Sequence, residues 1–371
     1  MKLEGLKVVD LSVFLPGPYL TMSLADHGAE VIKVEAAGGD PGRAIGLADG
    51  PHSVFFRSVN RGKRSVVLDL KSEAGRATLL RLATEADVFV EAFRPGVMKR
   101  LGIDYETVAA RNPRIVYCSI SAFGQDGPYR DRPAHDLATE ALAGVAGITL
   151  GADGAPAIPG LAAADIISSL NALSGVLMAL LRRERTGRGD YLDISMHESV
   201  LAAVPNQLGP ALAEDRQPVP AQERSLGGAA FYQIYETADR RHLVLAGQEE
   251  KFIRALLGAL GRLDLAELAE RGPGPHQLPL VQFLRQTFRA KPLAEWVRWF
   301  DGREVCFAPV NTLPEALADP QVVARGAVVT DGEGRRHVAP VIRFRHEPAR
   351  PRWQAPALGE ANPMLEMRAA E

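Results

Sequence analysis

The chain has 371 residues, with 43 Lys and Arg against 45 Asp and Glu for a formal net charge of −2. That length exceeds one ordinary domain of roughly 100–200 residues, so it implies two domains or one large domain with an insertion. The near-neutral balance argues against wholesale attraction to nucleic acid or an anionic membrane. Two cysteines, Cys118 and Cys306, exclude a disulfide scaffold and a Cys-rich metal centre. The opening residues, MKLEGLKVVD, lack the apolar core of a signal peptide, and the expected compartment is the cytoplasm.

In chain order, Leu6 to Val13 has the β-rich character of a strand, Pro16-Gly17-Pro18 breaks it, and Tyr19 to His27 is predicted as a helix. Further strands are predicted over 29–35, 65–70, 87–90 and 114–120, with helical stretches near 72–85, 97–101 and 105–110 between the later ones. Strands separated by helices imply βαβ units and a doubly wound parallel sheet. Gly160 to Leu181 follows as a long apolar helix broken by Asp165, Ser168, Ser169 and Asn171. It nearly reaches a membrane-spanning length of roughly 20 residues, but a carboxylate and several polar groups inside it favour a buried core helix. Asp190–Ser195 is predicted as a strand and 197–208 as a helix. The polar, turn-rich segment around 217–228 marks a boundary. After it come a hairpin (231–236 and 242–246) and helices near 251–260, 278–290 and 293–300, the composition of a small α+β domain. The expected division is a large domain over 1–215 and 312–371, with a small domain over 216–311.

No GxGxxG follows the first strand, and Walker A, GxSxG and HExxH sequences are absent. The eight histidines are not spaced as metal ligands, so no metal is expected. Two prolines in the first turn lack the N–H groups of a pyrophosphate cradle. Asp165 is the most informative residue. Either it starts its helix, caps it and meets the positive end of the dipole, or it is a desolvated carboxylate acting as nucleophile or base. His135-Asp136 likewise permits a plain helix start or a general acid/base at His135. Gln248-Glu249-Glu250 precedes a helix with acidic first-turn residues. The basic groups Asn60–Arg64, Lys71, Arg94 and Lys99-Arg100 are either solvated surface or, gathered on the loops of one sheet, a holder for a phosphorylated ligand.

Several runs together resemble the class III CoA-transferases (CaiB/BaiF). They are Pro16-Gly17-Pro18, Leu24 to Glu35, Gly38 to Arg43, Asn60 to Ser65, Leu68 to Lys71, Arg94 to Gly102, Gly124 to Tyr129 and Ala355 to Glu360. The matches run in order along nearly the whole chain. The resemblance implies a Rossmann-like large domain built from both chain ends, a small α+β domain, and two ring-like subunits interlocked as a homodimer. It implies coenzyme A or acyl-CoA as substrate, with no tightly bound cofactor. CoA would contact Leu15, Pro16, Leu68, Asp69, Leu70, Lys71, Phe93, Arg94, Arg100 and the Pro133–Asp136 loop. Ala36-Ala37 stands where the family often has an arginine or proline beside CoA.

The family's catalytic aspartate falls on Asp165. Two chemistries follow from the resemblance. In transferases the aspartate attacks an acyl-CoA and carries CoA to an acceptor carboxylic acid through an aspartyl-CoA thioester. In 2-methylacyl-CoA racemases the aspartate and a histidine, here His135, act as bases on opposite faces of the α-carbon, with a glutamate, here Glu249, near that histidine. His135 and the segment Leu226 to Tyr232 resemble the racemases. Leu137-Ala138-Thr139 departs from their usual Ile-Asn-Tyr. The expected activity is CoA transfer between carboxylic acids, with racemisation as the alternative and a non-catalytic CoA-binding module as a distant third.

Overall fold

Six of the β-rich runs in the first two hundred residues form strands of one parallel sheet. From one edge the strands are Arg64–Val67, Glu30–Glu35, Lys7–Asp10, Val88–Glu91, Val116–Ser121 and Asp190–Ser195. The expected α/β class and Rossmann-like parallel sheet are present. The computed structural model describes residues 1–151 and 153–365. They form two compact units, each with its own core. The first comprises Met1–Val145, Ile158–Ala203 and the described residues from Pro320 on, and the second comprises Ala146–Ala157 and Val204–Asp319.

In the first unit the chain leaves the central Lys7–Asp10 strand toward one edge, then returns to Val88–Glu91 on its other side. The order therefore reverses between these two strands, and the loops at their carboxyl ends diverge to leave a crevice. The central strands carry near-continuous apolar runs because helices cover both faces. On one face, the Ala163–Thr186 helix buries Ala164, Ala172, Val176 and Leu180 against Val8, Val90, Cys118 and Ile120. Arg183 closes the far end of that helix, donating to the Asp87 carboxylate at 2.9 Å and to the Arg114 carbonyl at 3.2 Å. Gly187 ends it in the left-handed region at φ 69°.

Three local expectations are corrected. The first helix starts at Pro16 itself and spans Pro16–Asp26, because proline suits the first helical position, where its missing N–H costs nothing. The predicted 197–208 helix stops at Ala202, and a separate turn of helix covers Gly209–Glu214. The Asn60–Arg64 run is neither solvated surface nor a ligand holder for most of its length. Arg61 is buried and bidentate to Asp26 (2.9 and 2.6 Å), and Lys63 is buried on Asp10, the Pro18 carbonyl and Asn60 (3.0, 3.0 and 2.8 Å).

In the second unit, Gln233–Glu236 and His242–Leu245 pair antiparallel as expected. A third strand, Phe307–Pro309, adds to His242–Leu245. Helices Glu250–Ala259, Leu278–Phe288 and Leu293–Phe300 pack on this sheet through Leu256, Leu284, Phe288, Trp296 and Phe300.

Candidate active site

A cavity of about 330 Å³ opens in the first unit where the strand order reverses. Its wall includes Phe14 and Pro16 after the first strand, Phe93 and Arg94 after Val88–Glu91, and His135 and Asp165. Seven of the residues expected in the site thus share one cavity: Pro16, Phe93, Arg94, Pro133, Ala134, His135 and Asp165.

The turn that follows the first strand is held by an ionic lattice sealed from water. Asp10 accepts from the Ser12 N–H (2.9 Å), the Thr21 hydroxyl (2.6 Å) and Lys63 Nζ (3.0 Å). Lys33 Nζ donates to the Ser12 carbonyl at 2.8 Å and pairs with Asp40 at 2.8 Å. Burial opposes ionisation of Asp10, but Lys63, Lys33 and its hydroxyl donors outweigh it and hold the carboxyl down to about 2. Burial pulls Lys63 down to about 8, partly offset by Asp10. Asp40 in turn accepts the Phe14 N–H at 3.2 Å, and Phe14 adopts a left-handed backbone at φ 64°. A bulky residue pays strain there, so the surrounding bonds must over-determine the turn. They aim the Phe14 ring at His135, edge to face with centroids 5.7 Å apart.

Asp165 departs from the simpler expectation that it caps its own helix. It is the third residue of Ala163–Thr186, and the cap position is Ala162, which has no side-chain donor or acceptor. The first-turn N–H groups are satisfied from the preceding helix, Asp136–Leu142. Ala163 N donates to Glu140 Oε1 at 2.9 Å, and Asp165 N donates to Asp136 Oδ1 at 3.1 Å. Asp136 and Glu140, four residues apart, lie on one face of that helix. They use the donors and the dipole end that would otherwise favour an ionised Asp165. Burial, and after it the like charge of Asp136, push the Asp165 carboxyl up to about 7. The Ser169 hydroxyl lies 2.7 Å from the Pro16 carbonyl and 2.8 Å from the Asp165 carbonyl, tying the first helix to the long one. A half-protonated carboxyl at neutral pH, on a rigid helix start and facing a cavity, suits a nucleophile or a general base.

The other expected residues lie elsewhere. Leu15 occupies the cap position of the first helix. Leu68 to Lys71 follow the Arg64–Val67 strand, with Leu68 buried, Lys71 exposed, and the Lys71 N–H held by Asp69 at 3.0 Å. Neither these residues nor Arg100 line the cavity. Arg100 reaches the loop below it: a side chain at Gly96 (φ 79°) would stand 3.3 Å from the Arg100 guanidinium and 3.8 Å from that of Arg130. Asp136 is the first residue of its helix, behind His135 at the cap position. Glu249 belongs to the second unit, exposed at the cap position of Glu250–Ala259.

Sequence reasoning missed Phe14, Glu140, Arg130 and Arg132. The i, i+4 spacing of Asp136 and Glu140 was a usable signal for a shared carboxylate face. Nothing in the sequence marks Phe14, a bulky residue, as left-handed.

A family model described as CoA-transferase family III matches residues 3–362. The acetyl-CoA:oxalate CoA-transferase of Acetobacter aceti is 34% identical over 368 residues, covering 98% of this chain and 94% of that protein. The alpha-methylacyl-CoA racemase of Mus musculus is 35% identical over 364 residues, covering 97% and 91%. The crystal structure of a CAIB/BAIF family protein from Brucella suis superposes with a TM-score of 0.83 at 31% identity, over 99% of this chain and 98% of that one.

Proposed function

This chain belongs to CoA-transferase family III, whose members act on CoA thioesters, and we propose that it moves CoA between carboxylic acids with Asp165 as the nucleophile. The observation that carries this reading is the Asp165 carboxyl, raised to about 7 on the wall of the switch-point cavity. Raised basicity makes its ionised form a better nucleophile than an ordinary aspartate. The Asp165 carboxylate attacks the thioester carbonyl carbon of the donor; the C–S bond breaks, CoA leaves as the thiolate, and a mixed anhydride remains. The thiolate attacks the Asp165 carbonyl, releasing the donor acid as its carboxylate and leaving an aspartyl-CoA thioester. The acceptor carboxylate attacks this thioester, again expelling the thiolate. The thiolate then takes the acceptor acyl group from the anhydride, and Asp165 is restored.

CoA enters along the loops of Pro16, Phe93 and Arg94, with Leu15, the Leu68–Lys71 segment and Arg100 along its length. The acceptor is a short dicarboxylic acid. Arg130 and Arg132 join Arg94 on the cavity wall, where guanidinium groups suit a second carboxylate, and the name of one relative includes oxalate. The enzyme works as a homodimer. Leu170, Leu177 and Leu181 stand exposed on one face of the long helix, opposite its buried face, and a contiguous apolar stripe calls for a partner surface. Light scattering should give twice the 40.0 kDa chain mass, and Leu177→Glu should lower it.

Racemisation is the second reading, favoured because His135 lines the same cavity as Asp165, and two bases flanking one α-carbon is what that reaction needs. The two readings separate on incubation with a panel of acyl-CoA thioesters and hydroxylamine. Mass spectrometry that finds a hydroxamate at Asp165 supports transfer. Deuterium wash-in at the α-carbon of a 2-methylacyl-CoA, without an adduct, selects racemisation. Asp165→Ala should abolish either activity, and retained turnover rejects both.

A further inference from the structure

Glu140 is fully buried, yet among the described residues no Lys, Arg or His forms an ion pair with it. One oxygen accepts the Ala163 N–H at 2.9 Å; the other is buried and accepts no N–H or O–H. Asp136 stands one helical turn away on the same face of the Asp136–Leu142 helix. Two adjoining carboxyls without a cation between them cannot both ionise cheaply, so one proton is held by the pair. Asp136 is the more open of the two and already accepts the Asp165 N–H at 3.1 Å. The proton therefore belongs on Glu140, whose otherwise unpartnered oxygen becomes a donor to Asp136. Burial raises the Glu140 carboxyl in the same direction.

We propose that Glu140 is a positioning residue: held as a neutral carboxyl between the Ala163 N–H and Asp136, it fixes the first turn of the long helix and keeps the helix-start donors away from the Asp165 carboxyl. With Glu140 in place, Ala163 N–H and Asp165 N–H are committed to the neighbouring helix, and Asp165 faces the cavity with no such donor. Without it, Asp136 loses its lock and the first-turn N–H groups become free to turn to Asp165 or to water. The other helix packed on both, Met196–Ala202, carries His197, whose ring lies 5.9 Å from Phe123, and Glu198, which is exposed.

The inference rests on Asp165 as the reacting group, but its test does not need substrate. Protein labelled with carboxyl-¹³C aspartate is titrated by NMR, with the Asp165 signal assigned through Asp165→Asn. Glu140→Gln keeps an acceptor for Ala163 and a donor for Asp136 without a charge, so the Asp165 midpoint should stay within about half a pH unit of wild type. Glu140→Ala should lower that midpoint by about one pH unit, a tenfold change in the equilibrium constant. An unchanged midpoint in Glu140→Ala overturns the proposal. So does a Glu140→Gln midpoint that moves by more than about half a unit, because the ionised form of Glu140 would then be what matters. If Glu140→Ala does not fold, Glu140→Gln alone decides. The role of Asp165 itself stands or falls separately, on the hydroxylamine and Asp165→Ala experiments.

Discussion

Asp165→Asn should make the protein more stable, and increasingly so as pH rises. The folded chain holds the Asp165 proton up to about pH 7, whereas an ordinary aspartate loses it near 3.8. Between those values the unfolded chain binds fewer protons than the folded one, so rising pH costs stability at about 1.4 kcal/mol per pH unit. The window of roughly three pH units sets a ceiling of about 4 kcal/mol. Asp165 borders a cavity open to water, which screens part of the cost, and about half, ~2 kcal/mol, is the expected total. Asparagine keeps the shape and carries no charge. Urea unfolding of both proteins at pH 5, 6, 7 and 8 measures the difference, which should grow by about 1–2 kcal/mol from pH 5 to pH 8 and level off above 7. A difference that does not change with pH, or a mutant less stable than wild type at pH 8, would refute the claim that this carboxyl is held against its ionisation.

Lys63→Met leaves the Asp10 carboxylate buried without its nearest cation, and should cost about 3–5 kcal/mol in thermal or urea unfolding; a loss under about 1 kcal/mol would show that Lys33 suffices. Gly189→Ala places a methyl group 1.8 Å from the Ile115 carbonyl oxygen. The backbone must move, at about 1–3 kcal/mol, and an unchanged urea midpoint would contradict that close approach. Phe288→Ala empties the centre of the second unit's core, where its ring meets those of Tyr235 and Trp296. A cost of about 3–5 kcal/mol is expected, seen by near-ultraviolet circular dichroism as early loss of the tryptophan signal. Initial rates of the enzyme on its acyl-CoA substrate should rise with pH through about 7, because the ionised Asp165 attacks. A rate flat from pH 5 to 8 would point to another nucleophile.

The sequence by itself determined the alternation of strands and helices, because β-branched runs and helical periodicity are local properties. The Asp190–Ser195 strand and the Leu293–Phe300 helix fall at the residues expected. It also singled out Asp165, since a carboxylate in an apolar run is costly wherever it folds. What it left open depended on partners distant in sequence. Arg61 and Lys63 looked like surface or ligand cations, but Asp26 and Asp10, 35 and 53 residues earlier, draw them inside. Asp165 looked like a cap for its own helix, but Asp136 and Glu140, more than twenty residues back, supply the acceptors and leave its carboxyl to the cavity. The segment 146–157 joins the second unit while its neighbours on both sides stay in the first, and no local composition marks that crossing. Local propensity selects the elements. The buried charge pairs and shared helix caps that tune Asp165 exist only once tertiary packing has removed water from between residues that are far apart in the chain.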